Sequence, residues 1–352
     1  MLRIPGSLFL LDINAYKPAG KAVRMEFFTQ GKGRLVGRHD IPKQLWSSAS
    51  SIIHLPPMLV ASWRDLLQKR GLLDRAKQPA PENLVGGLTE KESKDHLVWR
   101  FTGSSARVSM LMLDPKGKLE NISDAFYRTF SGNRVFIADI PAGAGAAILT
   151  VLTTLAELRK QERIPRNPLT VVILAGELSQ FSRGYANSML EKVKKDLADQ
   201  AISIEFHLRP WDALDKFSTS DLVRNMTLFS QDAAARMVVL ANFSGFLNSS
   251  TNWKKAQAQF EEIFRHSTDE IYSTAIWIEP GKKNVTNETG FFRRVTKWFK
   301  DNLQGSLRTE KSQEEMSFAR SEAQVKHPLK DHEFRSNLTV LRFDLPSVGA
   351  AE

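Results

Sequence analysis

The segment that most restricts the fold of this chain is Val135–Ala147, VFIADIPAGAGAA. An apolar run suited to a buried strand ends in Asp139. A turn of Pro141, Ala142, Gly143, Ala144 and Gly145 follows, and the helical pattern Ala146–Arg159 begins at once. A strand feeding a helix through such a turn is the opening half of a βαβ unit. The same alternation recurs downstream. Strand Leu169–Ala175 precedes helix Arg183–Ala198, and strand Ile202–Leu208 precedes a helical stretch around Ser220–Met226. Strand Met237–Ala241 precedes a helix that includes Trp253–His266, and strand Tyr272–Ile278 ends at Glu279-Pro280-Gly281. The alternation predicts a doubly wound α/β fold: a mostly parallel sheet, helices on both faces, and ligands at the carboxyl ends of the strands.

Residues 1–132 have a different texture and are expected to form an α+β extension that takes part in substrate recognition. Extended segments are expected at Ser7–Ile13 and Val23–Thr29, and a helix at Met58–Gly71. Residues 76–96 read as a polar linker or exposed loop. Strand-like stretches follow at His96–Thr102 and Ala106–Leu113, then a turn at Asp114–Gly117 and a short helix at Ser123–Phe130. In the second unit, residues 133–352, the stretch 282–325 reads as a basic insertion containing one amphipathic segment, Phe291–Leu303. Strands around Ala323–Lys326 and at Leu338–Leu345 close the pattern.

In Asp139-Ile-Pro-Ala-Gly-Ala-Gly145, glycine permits close approach of the backbone to a ligand, and free N–H groups at the helix start favour polar or anionic groups. The segment resembles the first motif of class I S-adenosylmethionine-dependent methyltransferases, Asp/Glu-x-Gly-x-Gly-x-Gly. Asp139, Gly143 and Gly145 stand at motif positions, and Pro141 replaces the first glycine. An NAD-type G-x-G-x-x-G is not met, because Ile148 stands at the third position. The resemblance covers residues 133–345. It implies a Rossmann-like seven-stranded sheet with the last strand antiparallel and S-adenosylmethionine held by Asp139, Ala142, Gly143 and Gly145. It also implies Glu177 on the ribose hydroxyls, a diol that suits the two acceptor oxygens of a carboxylate. Asp212 would face the adenine amino group, with Trp211 or Ala213 covering the ring. The alternatives are a loop or helix-capping role for Glu177 and an N-cap role for Asp212. Past the fourth strand, where the family faces the transferred methyl group, stands Asn242-Phe-Ser-Gly-Phe246. Asn242 is expected to be catalytic through a hydrogen bond to a target amine, and Phe243 or Phe246 to stack on a base. The Asp/Asn-Pro-Pro-aromatic motif of amino methyltransferases is absent, and a left-handed turn at Asn242 is the alternative. The Glu-Pro-Gly ending of the fifth strand also occurs in several class I methyltransferases.

Charge narrows the partner. The chain of 352 residues carries a net charge of +10, which favours anionic partners. Residues 1–43 hold eight Lys and Arg against three Asp and Glu. Lys32 and Arg34 in a Gly-Lys-Gly-Arg turn, together with Arg293, Arg294 and Trp298, are expected to contact nucleic acid, RNA in the first place. The aromatic stripe of Phe291–Lys300 fits two other readings equally: insertion into an anionic membrane face, or packing of an ordinary helix on the sheet. Without cysteine, disulfides, Cys-ligated zinc, iron–sulfur clusters and thiol nucleophiles are excluded. The seven histidines show no metal spacing, His327 and His332 included. No apolar run approaches the ~18–20 residues that span a bilayer, and a signal peptide is not expected, so a cytoplasmic location is. The expected function is thus a methyltransferase acting on nucleic acid. The rivals are a methyltransferase of a protein or small molecule, and a non-catalytic module with the same fold.

Overall fold

A computed structural model describes residues 35–82, 84, 86–267, 272–281, 290–304 and 316–345. Its first elements are two very short strands, β1 (Trp46–Ser47) and β2 (Ile52–Ile53). Five helices follow: α1 (Pro57–Lys69), α2 (Leu73–Lys77), α3 (Glu90–Trp99), α4 (Phe101–Leu113) and α5 (Glu120–Thr129). The alternating part comprises β3 (Arg134–Asp139), α6 (Ala146–Lys160), β4 (Leu169–Gly176), α7 (Gln180–Ala198), β5 (Ile202–Arg209) and α8 (Lys216–Phe229). It continues with β6 (Ala235–Ala241), α9 (Ser244–Leu247), α10 (Ser250–Ser267) and β7 (Tyr272–Pro280). Helix α11 (Phe291–Phe299) and the long strands β8 (Met316–Lys326) and β9 (Glu333–Asp344) complete it.

The strands form one sheet in the order β1-β2-β8-β9-β7-β6-β3-β4-β5. β3 to β7 run parallel, while β9 is antiparallel to both of its neighbours, β7 and β8. From β3 onward the seven strands follow the order that the resemblance implies, with the reversed strand inserted beside the fifth. Two strands more than expected are present. Ile52 and Ile53 pair with Gln324 and Val325 along the outer side of β8, which satisfies backbone groups that an open edge would leave exposed.

Period-two burial explains why the central strands read as unbroken apolar runs. Val135 and Ile137 of β3 enter one core with α1 and α4–α7. Phe136 and Ala138 enter the other with α8, α10 and α11. Residues between Val36 and Tyr127 belong to the same core as the sheet and α6, so the N-terminal helices are packed on the sheet itself.

Two expectations in the N-terminal region are corrected. His96–Thr102 and Ala106–Leu113 are not strands but lie in α3 and α4. In α4 every residue except Gly103 and Arg107 is buried. A helix covered on all sides has no polar stripe, and its apolar run cannot be told from a strand by period alone. The decisive local signal is Thr89-Glu-Lys-Glu92. Thr89 Oγ1 accepts from the Glu92 N–H, and Glu92 Oε2 accepts from the Thr89 N–H, which makes a capping box at the start of α3. The polar linker therefore ends before Glu90. The expected strands Ser7–Ile13 and Val23–Thr29 lie outside the described residues. The late strand expected around Ala323–Lys326 begins already at Met316, because it pairs with β9 along its whole length.

The stretch 291–304 also reads differently once folded. Phe291, Phe292, Val295, Trp298 and Phe299 are buried on one face of α11, while Arg293 and Lys297 stay exposed. Trp298 packs edge-on to Trp253 at 5.8 Å and against Phe264 at 6.1 Å. The expectation that Trp298 stacks on a base is thereby overturned: a ring in the core under the sheet has no face left for a ligand. The same burial removes the membrane-insertion alternative. Trp298→Phe is expected to cost about 1–2 kcal/mol of stability through lost packing, read from chemical denaturation. An unchanged midpoint would count against the buried position.

Candidate functional site

The carboxyl ends of β3, β4, β5 and β6 carry four elements. The first is the turn after β3. Gly143 has φ +54° and Gly145, the N-cap of α6, has φ +78°, a region that side-chain-bearing residues avoid. A Cβ built on Gly143 meets nothing within 4 Å, so the turn presents bare backbone to open space. The Ala142 N–H donates to the Gly176 carbonyl at 2.9 Å, and the Gly145 N–H to the Ala142 carbonyl at 2.8 Å. Pro141 follows a cis peptide bond.

Beneath this turn lies Asp139, 1% exposed. Its Oδ2 accepts a long 3.4 Å bond from the Ile148 N–H, and its Oδ1 has no partner among the described residues. Burial pushes its carboxyl up to about 7, with the nearby Glu177 charge adding to the rise and the Ile148 bond opposing it.

Glu177 is the second element. Its Oε2 accepts from the Gly143 N–H at 2.9 Å and its Oε1 from the Ser179 N–H at 2.8 Å. The sequence-expected pair Gly143 and Glu177 thus meets directly, through backbone on one side and carboxylate on the other. Burial raises the Glu177 carboxyl, against the pull of these bonds. The N-cap of α7 is not Glu177 but Ser179, which accepts from the Ser182 N–H.

Past β5, Trp211 and Ala213 are buried. Trp211 donates its indole N–H to Thr219 Oγ1 at 3.2 Å and packs near Phe243 and Phe260. Asp212 Oδ1 accepts from the Leu214 N–H at 2.9 Å, closing a local turn, while Asp215 is the N-cap of α8.

The loop after β6 is the fourth element. Asn242 has φ +60°, the left-handed conformation weighed from sequence. Its N–H donates to the Ile278 carbonyl at 2.8 Å, and its Oδ1 accepts from the guanidinium of Arg107 on α4. Phe243 is partly buried, with the exposed Phe246 ring stacked on it at 5.1 Å. The loop is clasped from below by Glu279 of β7, which is fully buried. Glu279 Oε1 accepts from the Phe243 and Ser244 N–H groups, each at 2.8 Å, and from the Trp277 indole at 2.9 Å. Its Oε2 accepts from the Ser244 hydroxyl at 2.7 Å. Burial raises the Glu279 carboxyl, and these donors oppose the rise.

Sequence reasoning missed Arg107 and saw Glu279 only as part of a strand ending. A lone arginine inside Phe101–Leu113, otherwise small and apolar, was the available signal, since arginine is rarely buried without a partner. Lys32 and Arg34 lie outside the described residues. Arg294 donates to Asn248 Oδ1 at 2.9 Å, and Arg293 is exposed. His327 and His332 stack at 5.5 Å at the β8–β9 turn, and among the described residues no three potential metal ligands come together. No helix among them is long and apolar enough to cross a membrane. A separate apolar hollow of about 70 Å³, lined by Leu35, Tyr127, Phe130, Leu155 and Leu169, lies at the amino ends of β3 and β4. That is the end opposite to where sheets of this kind bind ligands.

No family model matches the sequence, and no curated protein matches it. Solved structures with partial likeness include a protein of Listeria monocytogenes assigned to the class I S-adenosylmethionine-dependent methyltransferases, at 13% identity. It covers 84% of this chain and 90% of its own, with a TM-score of 0.35. Geranyl diphosphate methyltransferase in complex with GPP and sinefungin is 13% identical, over 81% of this chain and 94% of its own, with a TM-score of 0.30. A glycopeptide N-methyltransferase complexed with sinefungin is 9% identical, over 60% of this chain and 79% of its own, with a TM-score of 0.26. It is the strand order and the reversed β9 that define the fold.

Proposed function

We propose that this chain is an S-adenosylmethionine-dependent methyltransferase whose acceptor is a small molecule. The observation that carries the reading is the 2.9 Å bond between the Gly143 N–H and Glu177. It joins an open glycine turn to an acid at the ends of two adjacent parallel strands, β3 and β4. The residues fit the cofactor. Open space above Gly143 leaves room for it. Each Glu177 oxygen keeps a second lone pair for a ribose hydroxyl. Ala142, Trp211 and Ala213 offer apolar surroundings for an adenine, and Asp212 keeps one oxygen for its amino group.

When bound, the cofactor supplies a methyl group on a sulfonium, open to in-line displacement. The work left to the protein is alignment, which accounts for much of the rate in such reactions. Glu177 fixes the β3 turn through its backbone bond. Glu279 fixes the loop after β6 through three. Asn242 commits Oδ1 to Arg107, which leaves its Nδ2 donors for an acceptor. We assign Asn242 the contact with the acceptor and Glu279 a positioning role. A nucleic-acid acceptor loses one of its expected aromatic contacts, because Trp298 belongs to the core.

Titration calorimetry with S-adenosylmethionine tests the proposal, and absence of binding at millimolar ligand would sink it. Glu177→Ala is expected to weaken binding by about 1.5–3 kcal/mol, the range for hydrogen bonds to a charged group. Wild-type affinity in that variant would reduce Glu177 to a loop residue.

A further inference from the structure

Arg107 makes no direct ion pair among the described residues. It projects from an α4 whose residues are otherwise buried apart from Gly103. Its guanidinium donates to Asn242 Oδ1, a neutral acceptor, and its Nε has no partner among the described residues. Glu279 is close enough to hold the guanidinium charge in place, yet both Glu279 oxygens already accept from Phe243, Ser244 and Trp277. Apart from Glu279, the neighbouring ionisable groups that act on Arg107 or feel it are basic. Arg100 opposes its charge, and the His96 imidazole is pushed down to about 4, first by burial and then by Arg100 and Arg107. Burial lowers Arg107 itself to about 10, so it stays charged at neutral pH. A partly buried guanidinium whose nearest carboxylate is bonded elsewhere keeps unused donors, and an anion that meets them is favoured. The planar guanidinium fork suits a carboxylate.

Exposed apolar side chains stand at the same end of the sheet. Phe246 is 44% exposed, its ring parallel to Phe243. Leu178 past β4 and Phe217 past β5 are exposed at the same end of the sheet. Exposed aromatic and aliphatic side chains at the ligand-binding end of such a sheet offer apolar surface to a ligand.

We infer that the acceptor site takes a small organic acid with a flat apolar body, its carboxylate held by Arg107 and the Asn242 amide and its body against Phe246. The inference rests on the reading of Asn242 as the acceptor-facing residue. It predicts a preference that is measurable with defined probes and without any methyl donor.

The experiment compares 1-naphthoate with its neutral analogue 1-naphthamide by titration against the full chain. Wild type is expected to bind the acid at least tenfold more tightly than the amide. Arg107→Gln should erase that ratio, Arg107→Lys should restore part of it, and Phe246→Ala, at an exposed position, should weaken both probes alike. Equal binding of the two probes by wild type, or no binding of the acid, overturns the proposal. So does an Arg107→Gln variant that keeps the preference. If Arg107→Gln loses S-adenosylmethionine affinity while wild type does not distinguish the probes, the cation serves the cofactor's carboxylate and the acceptor reading fails. If wild type binds no S-adenosylmethionine yet prefers the acid, the methyltransferase reading fails and the acid site stands.

Discussion

Gly143→Val is expected to abolish S-adenosylmethionine binding in a protein that still folds. Nothing lies within 4 Å of a Cβ at this position, so the added side chain collides with no protein atom and instead occupies the space above the turn. The backbone cost is limited. A left-handed conformation, φ +54° here, penalises a side-chain-bearing residue by about 1–2 kcal/mol, somewhat more for a β-branched one. The bond from residue 143 to Glu177 survives, since it uses the backbone N–H. Gly143→Ala carries the same backbone penalty with a smaller obstruction, and its affinity should fall between wild type and valine. Calorimetry paired with thermal unfolding separates the two effects. A folded Gly143→Val chain with wild-type affinity would show that no ligand approaches this turn.

Asp139→Asn is expected to stabilise the protein at neutral pH and not in acid. The folded-state carboxyl of Asp139 sits at about 7, against an ordinary 3.8. Below pH ~4 both the folded and unfolded chains hold this proton, and the group contributes no difference. Between ~4 and 7 the unfolded chain has released it while the folded chain keeps it. Stability therefore falls as pH rises through that window, at about 1.36 kcal/mol per unit. The accumulated loss is roughly 4 kcal/mol by pH 7–8. Asparagine carries no such charge, so the stability difference between variant and wild type should grow from pH 4 to pH 8. Any constant cost of the amide cancels in that comparison, and Glu177 is present in both proteins. A difference that stays flat would mean that Asp139 is ionised and solvated in the fold.

The sheet was legible because its strands are buried on both faces. Apolar runs such as Val135–Ala138 need no alternation to be recognised when helices flank them in strict succession. The β3 turn was legible for a related reason: its residues are local and their smallness is the function. What stayed hidden depends on contacts remote in sequence. Arg107 meets Asn242 across 135 positions, and Glu279 reaches back 36 to Phe243. α4 was hidden because full burial erases the polar stripe that marks a helix. Phe291–Lys300 was ambiguous because one amphipathic face serves equally for a core, a base or a lipid surface, and only the packing of Trp298 decides.

The pairing of β2 with β8 imposes an order of assembly. Ile52 bonds into the sheet beside Gln324, whose codon comes about 270 positions later, so at ~5–20 residues per second the first strands wait roughly 15–55 seconds for their partner. Meanwhile α4 has emerged with an apolar surface meant for strands that do not yet exist, since it packs on β7, β8 and β9. Burst-labelled nascent chains halted before residue 316 should accordingly be protease-sensitive in their N-terminal third and bind holdase chaperones there. Chains released after β9 should lose both properties together, because the last hairpin made completes the seat of α4.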